Sequence, residues 1–170
     1  MSVTTKKKEK VKFSKAFWVA NTVELLERAA YYGGFVVITL YLSNVLGFTD
    51  IQAATIAGVF SACLYLLPTF SGALADKIGF RKSMLLAFTL LSLGYLGLGL
   101  FPNFLASTGL VEYGYVTKFT GLQESGYRYG IIPIMILIIV GGSFIKSVIS
   151  GTVAKETDEK NRARGFAIFY

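Results

Sequence analysis

Histidine is absent from this 170-residue sequence, cysteine occurs only once, at Cys63, and charged residues make up only 16%. Without histidine, no imidazole can carry a proton, so proton transfer would have to use other side chains. A single cysteine excludes a disulfide within the chain and is expected to be a packing residue. The sequence also has no glycine–lysine loop of the kind that cradles phosphates in ATPases. Carboxylates are therefore the obvious candidates for any energy coupling.

Apolar residues, by contrast, are abundant: 54% of the chain is hydrophobic and 15% is aromatic. Since about a quarter of an ordinary soluble domain is charged, this composition predicts a membrane protein. A helix crosses the hydrocarbon core with about 20 apolar residues, and runs this long and uniform favour helices over barrel strands. Four such runs are found, at about 17–46, 51–75, 83–101 and 131–154.

A further helix is predicted from about Gly165, and no helix stop signal precedes Tyr170. We therefore predict an all-α membrane protein with a basic N-terminal segment, 1–16, followed by a transmembrane bundle, 17–170. The bundle would contain four transmembrane helices and the start of a fifth. We also expect the chain to be the N-terminal part of a longer protein.

The basic residues indicate how the helices are oriented. Thirteen of the 17 lysines and arginines fall in segments that alternation places on one side of the membrane: residues 1–16, 77–82 and 155–164. The positive-inside rule then predicts a cytoplasmic N-terminus. We expect the membrane to be the cell membrane. The net charge of +7 would suit nucleic acid, but this distribution favours membrane topology and no nucleic-acid partner. The role of the long loop 102–129 stays open.

Four charges remain inside the apolar runs: Glu24, Glu27 and Arg28 in the first run, and Lys146 in the fourth. Each would cost about 2.5–3.5 kcal/mol if left alone at the centre of a membrane helix. Their formal charges sum to zero, which favours pairing. Two interpretations stay open: an ion or substrate pathway, or a static salt bridge that fixes helix packing.

Helical spacing predicts that these charges meet. Residues three and four apart share a face, so Glu24, Arg28 and Tyr31 form one polar stripe. Lys146 forms a second stripe with the serines that follow it, and both stripes lie roughly 10–12 Å from the cytoplasmic end at 1.5 Å per residue. Tyr65 of the second run is expected at about 15 Å from the cytoplasmic end by the same estimate. The sequence thus predicts one shared cavity, to which Tyr31, Tyr32 and Tyr65 could offer hydroxyls.

Several motifs resemble one family, the proton-dependent oligopeptide transporters of the major facilitator superfamily. The segment Glu24–Arg28 is similar to its E-x-x-E-R motif, and Tyr31-Tyr32-Gly33 is similar to its Y-Y-G. GALADKIG, residues 72–79, followed by Arg81, resembles the superfamily loop between helices two and three. GGSFIKSVIS, residues 141–150, and DEKNRARGFAIFY, residues 158–170, resemble the fourth helix and the start of the fifth.

The resemblance implies a transporter rather than an enzyme, built from two six-helix bundles that rock around a central site. It implies symport of short peptides by alternating access, with protons as the coupling ion, no cofactor and no metal. Its partners would be the substrate, the lipid bilayer and the C-terminal half of the transporter. The implied proton-coupling residues are Glu24, Glu27, Arg28 and Lys146. Substrate would be bound by Arg28, Tyr31, Tyr32, Tyr65 and Lys146, and the gate would be formed by Asp76, Lys77 and Arg81.

Four residues depart from the family pattern. Phe35 stands where the family often has an arginine, Ser147 where it often has a proline, Ser143 in place of a glycine, and Phe80 in place of a basic residue. Phe35 removes a cation that could hold a peptide carboxylate. Two alternatives therefore stay open: transport of another small anionic or drug-like solute, and a truncated membrane scaffold that does not transport.

Two residue types are expected to shape the helices. Glycines favour close helix contact, and prolines favour bends. The glycines concerned are Gly33, Gly34, Gly94, Gly97, Gly99, Gly141 and Gly142, and the prolines are Pro68 and Pro133.

Overall fold

The computed structural model describes residues 13–107, 126–159 and 161–170, and within these ranges it contains helices and no strand. The basic residues 1–12 and most of the loop 102–129 lie outside the described residues. The six α-helices are α1 (Lys15–Leu40), α2 (Asp50–Leu66), α3 (Pro68–Ile78), α4 (Phe80–Ser107), α5 (Ile131–Lys155) and α6 (Arg162–Phe169). A π-helical turn, Tyr41–Val45, ends α1, and a 3-10 turn, Gly126–Gly130, precedes α5.

Local sequence signals account for several helix ends. The Ser14 hydroxyl accepts a hydrogen bond of 3.0 Å from the Phe17 amide and caps the start of α1. Thr49 and Gln52 form a reciprocal capping box at the start of α2. Gly79 separates α3 from α4 with a φ of 88°, which a residue with a side chain rarely adopts.

The second apolar run is broken into α2 and α3, which meet at an angle of 44°. Pro68, which has no amide hydrogen to continue the α2 ladder, is the first residue of α3. The bend predicted at Pro68 is therefore confirmed.

Helix α4 is longer than the sequence indicates, because it begins at Phe80 and continues through Pro102 to Ser107. The predicted helix ended at Phe101. Phe101 and Leu105 on either side of the proline are both buried in the same apolar cluster. We attribute the extension to this packing, which offsets the one backbone hydrogen bond that Pro102 cannot donate.

Among the described residues, two helices are long and apolar enough to cross a membrane: α4, and α5 together with the 3-10 turn before it. The bent pair α2–α3 is a third if it counts as one span. Helix α1 has 26 residues, but Glu24, Glu27 and Arg28 interrupt its apolar character. The described part of the chain is thus an all-α membrane protein with two or three spans of this kind.

Helix α5 lies at the centre of the fold and packs against α1, α2, α3 and α4. Twelve of its residues are buried. Its first half, to Ile139, joins one apolar cluster with the end of α1 and with α2. Its second half, from Phe144, joins another cluster with the start of α1 and with α6. Because α5 has neighbours on several sides, its rotation about its own axis determines which neighbouring helix each of its polar side chains contacts.

Four of the seven glycines expected at close helix contacts make them. A Cβ atom on Gly141 would lie 3.0 Å from the Ala87 carbonyl oxygen, and one on Gly94 would lie 2.4 Å from Ile138. Gly97 and Gly142 are similarly close to side chains of neighbouring helices. The expectation was wrong for Gly33, Gly34 and Gly99, where nothing lies within 4 Å; those positions face open space beside α1 and α4.

One hydrogen bond joins the start of α1 to the end of α5. The Ser14 hydroxyl donates to Oε2 of Glu156 across 142 positions of sequence. Glu156 is the residue that terminates α5. The two helices are thus connected at one end, well away from the charges at residues 24–28.

Candidate functional site

The first charged pair lies within α1. Arg28 Nε donates a hydrogen bond of 2.8 Å to Oε1 of Glu24, four residues earlier. The spacing of four places both side chains on one helix face. Glu24 is only 6% exposed, whereas the Arg28 side chain is 38% exposed. The arginine therefore neutralises a buried carboxylate while part of its guanidinium stays accessible.

The second pair joins α1 to α5. Lys146 Nζ lies 4.0 Å from Oε1 of Glu27, and each side chain is 16% exposed. The same Nζ lies 4.2 Å from the ring centroid of Tyr65 and 5.0 Å from that of Tyr31. A cation over aromatic faces is stabilised by the ring quadrupole, more strongly where water is excluded. Lys146 is therefore held by one carboxylate and two tyrosine rings.

These groups surround a cavity of about 410 Å³, called here the polar cavity. The structure thus brings the two predicted polar stripes to one space. The lining residues are Glu24, Arg28, Tyr31, Tyr32, Tyr65, Pro68, Gly72, Lys146, Ser147, Ser150, Phe169 and Tyr170.

Glu27 does not line the polar cavity. It lines a second, mostly apolar cavity of about 410 Å³ between α1, α2, α4 and α5, called here the apolar cavity. Phe35 also lines the apolar cavity, and Tyr31 lines both. Glu27 and Lys146 therefore meet at the boundary between the two spaces.

Both glutamates have one oxygen in use and one that is not. Oε1 of Glu24 accepts from Arg28, and Oε1 of Glu27 faces Lys146. Oε2 of each is buried and has no hydrogen-bond partner among the described residues. A buried polar atom without a partner is costly, and such atoms are sites where a proton or a ligand group can be accepted. A proton could bind either Oε2 without displacing an existing hydrogen bond.

Two residues of the polar cavity make contacts with side chains that the sequence did not single out. Ser61 bonds the Tyr31 hydroxyl at 2.5 Å, and its spacing of four from Tyr65 was the available signal. The guanidinium carbon of Arg28 lies 5.6 Å from the ring centroid of Tyr170. This contact depends on how α6 folds back toward α1, which no local pattern indicates.

The residues expected to form a gate lie elsewhere. Asp76 and Lys77 are on α3 and Arg81 is on α4, beside the Gly79 turn, and all three are exposed. None of them lines either cavity. Within residues 13–107, 126–159 and 161–170, the only ion pairs are those of Glu24 with Arg28 and Glu27 with Lys146. A gating role for Asp76 thus stays a prediction.

The fold and the site define an all-α membrane protein with two acid–base pairs beside a cavity. Dipeptide and tripeptide permease A of Salmonella typhi is 37% identical to this chain over 82 residues, which are 48% of this chain and 16% of the permease. The permeases of the same name from Escherichia coli K12 and Proteus mirabilis are 35% and 34% identical over 82 residues. Those segments are again 48% of this chain, and 16% and 17% of the permeases.

No family model matches the chain, and no solved structure matches it. The resemblance to the proton-dependent oligopeptide transporter family is nevertheless confirmed over about half of the chain. The similar proteins are permeases rather than enzymes. The matched segment spans about a sixth of each of them.

Proposed function

We propose that this chain is part of a proton-coupled secondary transporter that symports short peptides by alternating access. Its four spans would be α1, the bent pair α2–α3, α4 and α5, with α6 as the start of a fifth. These helices would form part of a major-facilitator-type bundle, and the C-terminal half of the transporter would complete the site. The N-terminus would be cytoplasmic and the protein would lie in the cell membrane.

The observation that carries this proposal is the pairing of two largely buried carboxylates with two cations where two cavities adjoin. A static salt bridge needs one acid and one base. Here Glu24 with Arg28 and Glu27 with Lys146 form two pairs, and each acid has an unused buried oxygen. Charges inside membrane helices typically mark ion or substrate pathways. The names of the similar permeases support peptides as the substrate class.

The charges suggest how a proton and a substrate could be coupled. When both glutamates are ionised, Arg28 and Lys146 are neutralised by them. A proton on Oε2 of Glu27 would remove the charge that faces Lys146, and the ammonium could then hold a substrate carboxylate. Loss of the proton on the inner side would restore the pair and release the substrate. Tyr31, Tyr32 and Tyr65 would offer hydroxyls to the bound peptide.

Reconstitution of the full-length protein in liposomes tests this function. Uptake of labelled dialanine is measured with and without an inward proton gradient, for the native protein and for Lys146→Ala. We expect gradient-driven uptake for the native protein and loss of that uptake in the variant. If the native protein is folded, as shown by a cooperative thermal transition after reconstitution, and still takes up no dialanine, peptide symport is ruled out.

A second candidate, transport of another small anion or drug-like acid, is favoured by one observation. Phe35, which stands where the family often has an arginine, lines the apolar cavity, and its ring lies 6.2 Å from that of Tyr31. This wall offers no cation for a peptide carboxylate. Competition separates the two candidates. If the protein transports peptides, uptake of its labelled substrate is inhibited by excess dipeptide. If it transports another acid, that uptake is inhibited by excess aromatic monocarboxylate instead.

A further inference from the structure

Three serines surround the break between α2 and α3. The Ser147 hydroxyl on α5 lies 2.6 Å from the carbonyl oxygen of Pro68 and 2.9 Å from that of Ser143 in its own helix. With one hydrogen to donate, it bonds the nearer acceptor, Pro68. Ser71 Oγ lies 2.9 Å from Ser147 Oγ and 3.0 Å from the Ser143 carbonyl oxygen. Ser71 and Ser143 are 7% and 1% exposed. These hydrogen bonds join the bent span to α5 in a buried setting, where each is harder to replace by water.

Ser147 directly follows Lys146, and its partner Pro68 lies three residues after Tyr65. Two adjacent contacts therefore connect the same two segments: the Lys146 ammonium with the Tyr65 ring at 4.2 Å, and the Ser147 hydroxyl with the Pro68 carbonyl. Successive residues of an α-helix point about 100° apart, at 3.6 residues per turn. Two contacts in different directions fix the rotation of α5, which one contact would leave free.

We propose that Ser147 is a positioning residue for Lys146. Its hydrogen bond to Pro68 fixes the rotation of α5 against the α2–α3 break, and this rotation holds the ammonium over Tyr65 and beside Glu27. Both Ser147 and Ser143 are departures from the family pattern, and a proline at 147 could not donate this bond. The consequence for transport rests on the function proposed above, but the geometry of Lys146 does not.

The chain offers matched variants. Ser147→Ala removes the hydroxyl alone. Ser147→Thr keeps the hydroxyl, and Gly72 leaves room for the added methyl group, because even a Cβ atom built on Gly72 would lie 3.6 Å from Ser147. Thr152, also on α5, lines neither cavity, and its hydroxyl donates to the Val148 carbonyl oxygen of its own helix, so Thr152→Ala is the control.

A spectroscopic measurement tests the position of Lys146 directly. Lysines of the full-length protein are converted to ¹³C-dimethyl-lysine, which keeps its charge, and the methyl resonance lost in Lys146→Arg is assigned to Lys146. The Tyr65 ring current should displace this resonance upfield in the native protein, in Ser147→Thr and in Thr152→Ala. In Ser147→Ala we expect the displacement to collapse toward that of exposed lysines. An unchanged displacement in Ser147→Ala would overturn the proposal.

Transport provides the second measurement. Gradient-driven dialanine uptake should fall about three- to tenfold in Ser147→Ala, the effect of losing one ordinary hydrogen bond, and Ser147→Thr should restore it. Counterflow exchange should fall less, because it does not require the proton to cross. Equal loss in Ser147→Ala and Thr152→Ala would contradict a positioning role. If the native protein takes up no peptide, the proposed function fails. The resonance of Lys146 still tests whether Ser147 positions Lys146, because that measurement needs no transport.

Discussion

The ammonium of Lys146 lies 4.0 Å from Oε1 of Glu27, and this is the only ion pair between different helices in the described part of the chain. It joins α1 to α5 at the boundary between the polar and the apolar cavity. Glu24, by contrast, is bound by Arg28 of its own helix. The two glutamates of one short motif therefore differ in what can separate them from their partners. A movement of α1 relative to α5 can open the Glu27–Lys146 pair, but it cannot open the Glu24–Arg28 pair, which lies within α1.

Replacing Glu27 by glutamine should abolish gradient-driven uptake, because the amide keeps the shape of the side chain but cannot be protonated. Counterflow exchange of substrate should persist at least in part, since it needs no net proton movement. Both activities are measured in the same liposomes. Glu159→Gln, at an exposed position beyond α5, is the matched control and should keep both. Driven uptake at the native rate in Glu27→Gln would remove Glu27 from the coupling mechanism.

Replacing Arg28 by lysine should weaken substrate binding even though the charge is kept. The ammonium cannot reproduce the planar guanidinium that bonds Glu24 through Nε while presenting its other donors to the cavity. Loss of one charge-assisted hydrogen bond corresponds to about 1.5–3 kcal/mol, so KM for uptake should rise roughly ten- to hundredfold. Arg162→Lys, which is exposed on α6, should leave KM unchanged. An equal KM for Arg28→Lys and the native protein would show that Arg28 acts only as a counter-charge.

Replacing Gly141 by alanine should destabilise the bundle. The new Cβ atom would lie 3.0 Å from the Ala87 carbonyl oxygen and 3.1 Å from the Leu91 amide nitrogen, and backbone atoms cannot move aside as a flexible side chain can. We expect a loss of about 1–3 kcal/mol, the usual effect of overpacking, seen as a lower thermal midpoint in detergent.

Gly99→Ala is the control for that substitution. Gly99 lies within α4, and nothing lies within 4 Å of the Cβ position. Since alanine is favoured over glycine in a helix by about 1 kcal/mol, the control should be neutral or slightly stabilising. Equal midpoints for both variants would mean that α4 and α5 are not in close contact at Gly141.

Replacing Arg128 by alanine should loosen the connection between α1 and α2. Arg128 donates a hydrogen bond of 3.0 Å to the Gly47 carbonyl oxygen and lies 4.7 Å from the centroid of the Phe48 ring. Loss of a charge-assisted bond of about 1.5–3 kcal/mol should speed amide hydrogen exchange at residues 47–49 by roughly ten- to hundredfold. Arg162→Ala should not affect these amides. Unchanged exchange in Arg128→Ala would show that other contacts hold this turn.

Much of the site could be predicted from helical periodicity. Glu24, Arg28 and Tyr31 share a face by their spacing alone, and Lys146 shares one with Ser150, so it followed that the faces could meet. Periodicity does not define how far each helix is rotated about its own axis. For that reason the sequence did not indicate that Lys146 would face Glu27 rather than Glu24, or that Glu27 would line a separate apolar cavity.

Helix ends and bends were predicted correctly where they depend on local sequence signals. The bend at Pro68 follows from the missing amide hydrogen of proline, whichever helices surround it. The continuation of α4 past Pro102 depends on the burial of Phe101 and Leu105 against other helices, which the sequence of α4 alone does not contain. The same is true of Tyr170, whose contact with Arg28 depends on where α6 lies.

The hydrogen bond between Ser14 and Glu156 has a consequence for how the bundle can move. Together with the Glu27–Lys146 pair, it connects α1 to α5 at two places far apart along both helices. Sliding one helix past the other would break both connections, whereas tilting the two together would break neither. While both contacts are intact, α1 and α5 move as one rigid body. Movement of the other described helices relative to this pair would then come from the break between α2 and α3 and from the Gly79 turn between α3 and α4.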